Sequence, residues 1–258
     1  MYDRIKTRWN LASDELSGSD AFWERSALGL SLLADFKRVL TADNIRGRLL
    51  DAGAGKLSYR HLVRPFCQTY KSMDFQPTHP DLDYQSDIQK MPLGDESFDT
   101  VLCAEVLEHV PDPEKALREI YRVLKPGGKL VMSIPHLMYL HNEPHDFYRY
   151  TKYGLRTLLV MYLHNEPHDF YRYTKYGLRT LLERTGFTVE LLEPSGSLFS
   201  FLQGIAATTL VGLTYGIPVL WPLVFHVSRL TARVSIWLDN HTDKKKIFAL
   251  HFIAVARK

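Results

Sequence analysis

The 258-residue chain has only two cysteines, Cys67 and Cys103. That is too few for a disulfide framework or a four-thiolate zinc site, and a reducing cytosol is the expected home. Fifteen glycines and thirteen prolines do not make a collagen or a low-complexity chain, and a 45% hydrophobic content excludes disorder. The first six residues, Met1 to Lys6, hold no apolar signal-peptide core, so the catalytic part is expected to stay inside the cell. A broad basic face is missing as well. The 32 basic and 29 acidic side chains leave +3, and residues 229–258 alone carry seven Lys or Arg against two Asp. The rest of the chain is then about −2, which excludes nucleic acid as the expected partner.

What is present includes an exact internal repeat. Residues 138–159 read MYLHNEPHDFYRYTKYGLRTLL, and residues 161–182 read the same at an offset of 23. Repeat architectures stack three or more diverged units, so two identical copies are an in-frame tandem duplication rather than a solenoid. Eight of the 14 tyrosines and four of the 11 histidines lie in the two copies, so Tyr and His richness is not a property of the fold.

Outside the repeat, the patterning alternates strand and helix. Residues 19–40 have helical apolar spacing with Asp20 as N-cap. Strands are expected at 48–52, at 70–74, at 83–88, at 98–104 and, after the Pro126-Gly127-Gly128 turn, at 129–134. An amphipathic helix with proline at its start spans 111–124, and two further strands are expected at 187–192 and 247–257. Alternation of this kind predicts an α/β fold with a parallel, doubly wound sheet.

Two features carry chemistry. The first strand runs into Asp51-Ala52-Gly53-Ala54-Gly55, a glycine turn that lets backbone approach a ligand. Asp74 follows at the end of the next strand, where a carboxylate can hold a ribose diol. Leu57 stands where a dinucleotide fingerprint has its third glycine.

LLDAGAG, then Asp74, then SDIQKMPLGDESFDTVLCAEVLEHVPDPEKALREIYRVLKPGGKLVMSIP resemble a class I S-adenosylmethionine-dependent methyltransferase. Within that class the chain is similar to the methyltransferase type 11 group, which includes the quinone-biosynthesis O-methyltransferases. The resemblance covers about residues 45–192 and the last strand. It implies a seven-stranded Rossmann-like sheet and S-adenosylmethionine as cofactor. It further implies Gly53 and Gly55 at the cofactor's amino-acid end with Asp51 nearby, Asp74 on the ribose, Asp87 and Ile88 at the adenine, and Glu105 near the sulfonium.

Glu105, Glu108 and His109 are spaced so that a helical turn would set them on one face. They are either ligands of a divalent ion or a polar wall in which Glu105 serves the cofactor. The wall is the expectation, because hard ions recruit more oxygens. For a hydroxyl acceptor a base helps, and the candidates are His109, His136, and His145 with Asp146 in the first copy. His145 with Asp146 reads equally as a base with its orienting acid or as a loop clamp.

Residues 194–228 hold no Asp, Glu, Lys or Arg. The strand at 247–257 must rejoin the same sheet as 187–192, so any crossings of a bilayer would be even in number. A hairpin that dips in and returns, broken near Gly216-Ile217-Pro218, fits better than two full spans of ~20 residues. Trp221 and Trp237 suit an interface, and Lys244 to Lys246 suit anionic headgroups. The alternatives are a buried helical pair, a lid or a dimer face.

The expected organisation is an N-terminal helical region (1–44), a cofactor-binding core (45–193), an apolar helical insert (194–246) and a last core strand (247–258). The expected function is methyl transfer to a hydrophobic or lipid-linked small molecule, with oxygen favoured as acceptor, at the cytoplasmic face of a membrane. The alternative is a cofactor-binding scaffold impaired by its duplication.

Overall fold

Apolar side chains that alternate with period two along four neighbouring strands build both faces of one sheet. The computed structural model describes residues 8, 11, 12, 15, 16, 19–24, 26–135, 148–150, 171–246 and 248–258. In chain order the elements are α1 (Asp20–Glu24), α2 (Ala27–Val39), β1 (Arg48–Ala52), α3 (Arg60–Val63), β2 (Thr69–Asp74), β3 (Tyr84–Gln85) and β4 (Phe98–Ala104). A 3-10 turn (Leu107–His109), α4 (Pro113–Val123) and β5 (Leu124–Pro135) follow. Then come β6 (Tyr148–Tyr150), β7 (Tyr171–Tyr173), α5 (Lys175–Arg184), β8 (Thr188–Ser195), α6 (Leu198–Thr214), α7 (Leu220–Thr242) and β9 (His251–Arg257).

Seven strands form the main sheet in the order β3-β2-β1-β4-β5-β9-β8. Leu50, Val101, Cys103, Leu130, Met132 and Ala254 point to the face covered by α4 and α5. Leu49, Leu102, Ala104, Val131, Ile253 and Val255 point to the face covered by α2 and α3. Each fully buried aliphatic side chain there stabilises the fold by about 1.5–3 kcal/mol, so truncating Leu102 would cost roughly 2–5 kcal/mol. Helix α4 buries Ala116, Leu117, Ile120 and Val123 on one face, with Pro in its first turn and the Asp112 side chain accepting from the Lys115 amide at 3.0 Å.

The doubly wound seven-stranded sheet and its helical insert before the last strand are as expected, but the sheet is mixed. β9 runs antiparallel to both β5 and β8. The physical reason lies in the insert: two helices, α6 and α7, carry the chain out and back, so β9 enters from the end where β8 left. Several boundaries also differ. The expected helix 19–40 is broken: α1 ends at Glu24, and Ser26 rather than Asp20 caps the longer piece, its hydroxyl accepting from the Gly29 amide at 3.2 Å. The third strand shrinks to two residues. Asp87 ends it by accepting from the Gln89 amide at 2.8 Å, an Asx turn. The fifth strand begins at Leu124, and the last begins at His251.

The two repeat copies meet in a separate ribbon. β6 from the first copy pairs antiparallel with β7 from the second, Arg149 opposite Arg172. β7 lies against the 3-10 turn and β5, and α5, also from the second copy, buries Leu178, Leu181 and Leu182 in the core.

Candidate active site

The glycine turn sits at the carboxyl end of β1. Gly53 and Ala54 donate their amides to the Met73 carbonyl at 2.8 and 2.9 Å, which ties the turn to β2. Gly53 has φ +88°, and a Cβ there would meet Val106 at 2.3 Å. Gly55 has φ +51° and only open space where a Cβ would stand, so a ligand can approach the turn there, while its own amide and carbonyl are engaged by Asp74 and Thr78. Leu57 also adopts a left-handed φ of 60°, so the turn keeps the geometry of a glycine without having one. Its side chain is buried, and that burial offsets strain of about 1–2 kcal/mol.

Asp74 closes the turn from β2. One carboxylate oxygen accepts from the Gly55 amide at 2.8 Å and the other from the Gln76 amide at 2.9 Å. Asp51 lies behind the turn, buried, and accepts from the Tyr70 hydroxyl at 2.7 Å. Burial, opposed by the Tyr70 hydrogen bond and reinforced by the negative charge of Asp74, pushes the Asp51 carboxyl up to about 7. Asp87 stands just beyond β3, and Ile88 is buried behind it.

Glu105 follows β4 directly and takes a left-handed φ of 56°. That turn aims it across the strand ends: the Ser133 hydroxyl donates to one oxygen at 2.7 Å, and the His251 Nε2 lies 3.4 Å from the other. Tyr59 packs its ring on Trp23 and Phe36, at centroid distances of 4.8 and 5.1 Å. Burial first, then the charges of Glu105 and Asp51, raise its phenol well above the ordinary value.

Glu108 is buried, and its carboxylate lies 3.4 Å from the His109 Nε2. The expected shared face of Glu105, Glu108 and His109 is not formed. Glu108 and His109 are on a 3-10 turn, while the left-handed backbone at Glu105 directs it to Ser133 and His251. Among the described residues no three His, Cys, Asp or Glu are grouped to hold a metal ion. The candidate bases His136 and His145 and the acid Asp146 lie outside the described residues.

Asp51, Asp74, Glu105 and Glu108 thus gather at the carboxyl ends of β1, β2 and β4, beside an open glycine turn. The set fits a cationic nucleoside: carboxylates for its sulfonium and ammonium charges, and exposed backbone for close approach. Sequence reasoning missed Tyr59, Tyr70 and His251. The strand pairing brings Tyr70 and His251 in, and no local motif marks any of the three.

Known proteins agree with this geometry. A profile described as a methyltransferase domain matches residues 50–132. A ubiquinone/menaquinone biosynthesis C-methyltransferase from Geotalea daltonii is 28% identical over 170 residues, 57% of this chain and 68% of that protein. A demethylmenaquinone methyltransferase from Renibacterium salmoninarum is 30% identical over 143 residues, 52% of this chain and 56% of that protein. The match thus spans less than two thirds of the second relative and little more than that of the first. The crystal structure of an S-adenosylmethionine-dependent methyltransferase from Mesorhizobium loti shares the fold, with a TM-score of 0.53 at 15% identity, covering 87% of this chain and 96% of that one. Sheet order, the acid-lined glycine turn and the match over residues 50–132 together support a class I S-adenosylmethionine-dependent methyltransferase, similar at low identity to the quinone-biosynthesis methyltransferases.

Proposed function

We propose that the acceptor is a hydrophobic or lipid-linked small molecule and that the methyl group goes to oxygen. The observation that supports the choice of oxygen is the Glu108–His109 pair, an imidazole whose Nε2 lies 3.4 Å from a buried carboxylate. An imidazole so oriented can take the proton of an acceptor hydroxyl. The hydrophobic character is supported by the two quinone-pathway relatives.

When bound, S-adenosylmethionine supplies a methyl carbon activated by its positive sulfur. The chain's own residues have simpler tasks. Asp74 would hold the ribose, with the Gly53–Gly55 turn at the amino-acid end; Glu105, fixed by Ser133, would face the positive charge; His109 would receive the proton. In-line displacement needs little more than this positioning.

The test incubates the protein with methyl-labelled cofactor and with separated lipid and soluble cell extracts. Label entering the lipid fraction as a methyl ether supports the reading. Label in water-soluble products, or on carbon, removes the specific assignment. His109→Gln should lower turnover at unchanged cofactor affinity. A second reading, a cofactor-binding scaffold, draws support from the duplication that follows β5. It requires cofactor binding by calorimetry with no turnover on any extract.

A further inference from the structure

Helices α6 and α7 are joined by a short break at residues 215–219 and pack against each other and against α2. Among the described residues nothing covers their outer faces. On α7, Leu220, Leu223, Val227, Leu230, Val234 and Trp237 recur at alternating steps of three and four, and all are exposed, Leu230 by 64% and Trp237 by 57%. On α6 the matching stripe is Leu198, Leu202, Ile205 and Leu213. α7 alone gives this face a length of about 34 Å at 1.5 Å per residue.

The charges on this segment are sorted by sign. Its two acids, Asp239 and Asp243, are turned inward. Asp239 is buried and accepts from the Phe199 and Ser200 amides at 2.9 and 3.0 Å, capping α6, while Asp243 accepts from the Ser197 hydroxyl. The bases are turned outward. Arg229 and Arg233 line a surface hollow with His226 and Leu230, and Lys244 and Lys245 are exposed past the end of α7. From neighbouring elements, Glu24 pairs with Arg229 and reaches Arg233 at 4.0 Å, and Glu15 accepts from the Tyr215 hydroxyl. Lys246 donates to Asn240 at 2.9 Å.

We infer that this face lies on an anionic lipid bilayer, with the apolar stripes in the acyl boundary and the bases among the headgroups. An apolar face with a basic rim and inward acids complements such a surface. The bases of this face, unlike its two acids, point outward, so a second copy of the same face would bring like charges together and no acid to pair them. No helix among the described residues is long and apolar enough to cross a membrane. The geometry is that of helices lying in the interface. α6 starts and α7 ends near the paired residues Ser195 and His251, at the same sheet edge as Glu105, so the lipid face borders the site. The inference stands whichever acceptor the enzyme uses.

The test is flotation of the whole chain with phosphatidylcholine vesicles, with and without phosphatidylglycerol, and quenching of Trp237 by brominated lipid with Trp237→Phe as reference. The chain should float with the anionic vesicles, come off in part as salt rises, and show quenching that the Phe variant lacks. Lys244→Glu, Lys245→Glu and Lys246→Glu together should lower partition by roughly tenfold or more. Leu223→Asp with Leu230→Asp, both on exposed positions, should abolish it. Absence of flotation at low salt overturns the inference. So does a dimer, dispersed by Leu223→Asp, that leaves Trp237 unquenched. Should a variant fail to fold by circular dichroism, quenching in the unaltered chain decides alone.

Discussion

Ser133 and Glu105 join the ends of β5 and β4 through one hydrogen bond of 2.7 Å, and the backbone repeats the link, Glu105 donating its amide to the Ser133 carbonyl at 3.1 Å. Ser133 is completely buried. Ser133→Ala therefore leaves the Glu105 carboxylate without this donor. It should destabilise the fold by about 1–3 kcal/mol and weaken cofactor binding, measured by chemical melts and calorimetry. A variant with wild-type affinity would show that Glu105 holds its place without this bond.

Asp74 both shapes the glycine turn and, by family resemblance, holds the ribose. Asp74→Ala should lower cofactor affinity by about 1.5–3 kcal/mol, roughly ten- to a hundredfold in Kd. Asp74→Asn can still accept from the Gly55 amide and should lose less. Unchanged affinity in the Ala variant would sink the assignment.

Asp51 makes stability depend on pH in a definite direction. Its folded carboxyl titrates near 7, whereas in an unfolded chain it titrates near ~3.9. Between those values the unfolded chain has lost a proton that the folded one keeps, so this group's contribution falls as pH rises from about 4 to about 7 and is level above that. Asp51→Asn removes the term. The variant's melting temperature should therefore gain on the parent across that window and hold its lead beyond it. A constant difference at all pH values would mean that Asp51 titrates as an ordinary carboxylate.

The duplication is testable by subtraction. Deleting residues 138–160 leaves one copy that follows β5 and leads directly into α5. Since the core packing of this region belongs to Leu178, Leu181 and Leu182 of the second copy, the shortened chain should fold and melt no lower than the parent. Loss of cooperative unfolding on deletion would show that the first copy carries structure of its own.

Much of the core was legible because its signals are local. The Gly53–Gly55 turn, Asp74 at a strand end and the proline-started helix before β5 each declare themselves within a few residues. Asp20 and Ser26 are both sound caps by type, and it is the Ser26 hydroxyl that accepts from a first-turn amide of the longer helix. The left-handed backbone at Leu57 and Glu105 was hidden, since neither residue type announces it. Tyr70 and His251 were hidden for a different reason. They reach Asp51 and Glu105 through strand pairing, and His251 arrives only because β9 is antiparallel.

That β6 and β7 are the same three residues read in opposite directions has one more consequence. An antiparallel pair of identical segments has a local two-fold axis, here passing between Arg149 and Arg172. Self-complementary contacts of this kind ordinarily belong to two molecules meeting as equals. The duplication has written both partners into one polypeptide, so a symmetry that would otherwise depend on concentration is set by chain connectivity alone.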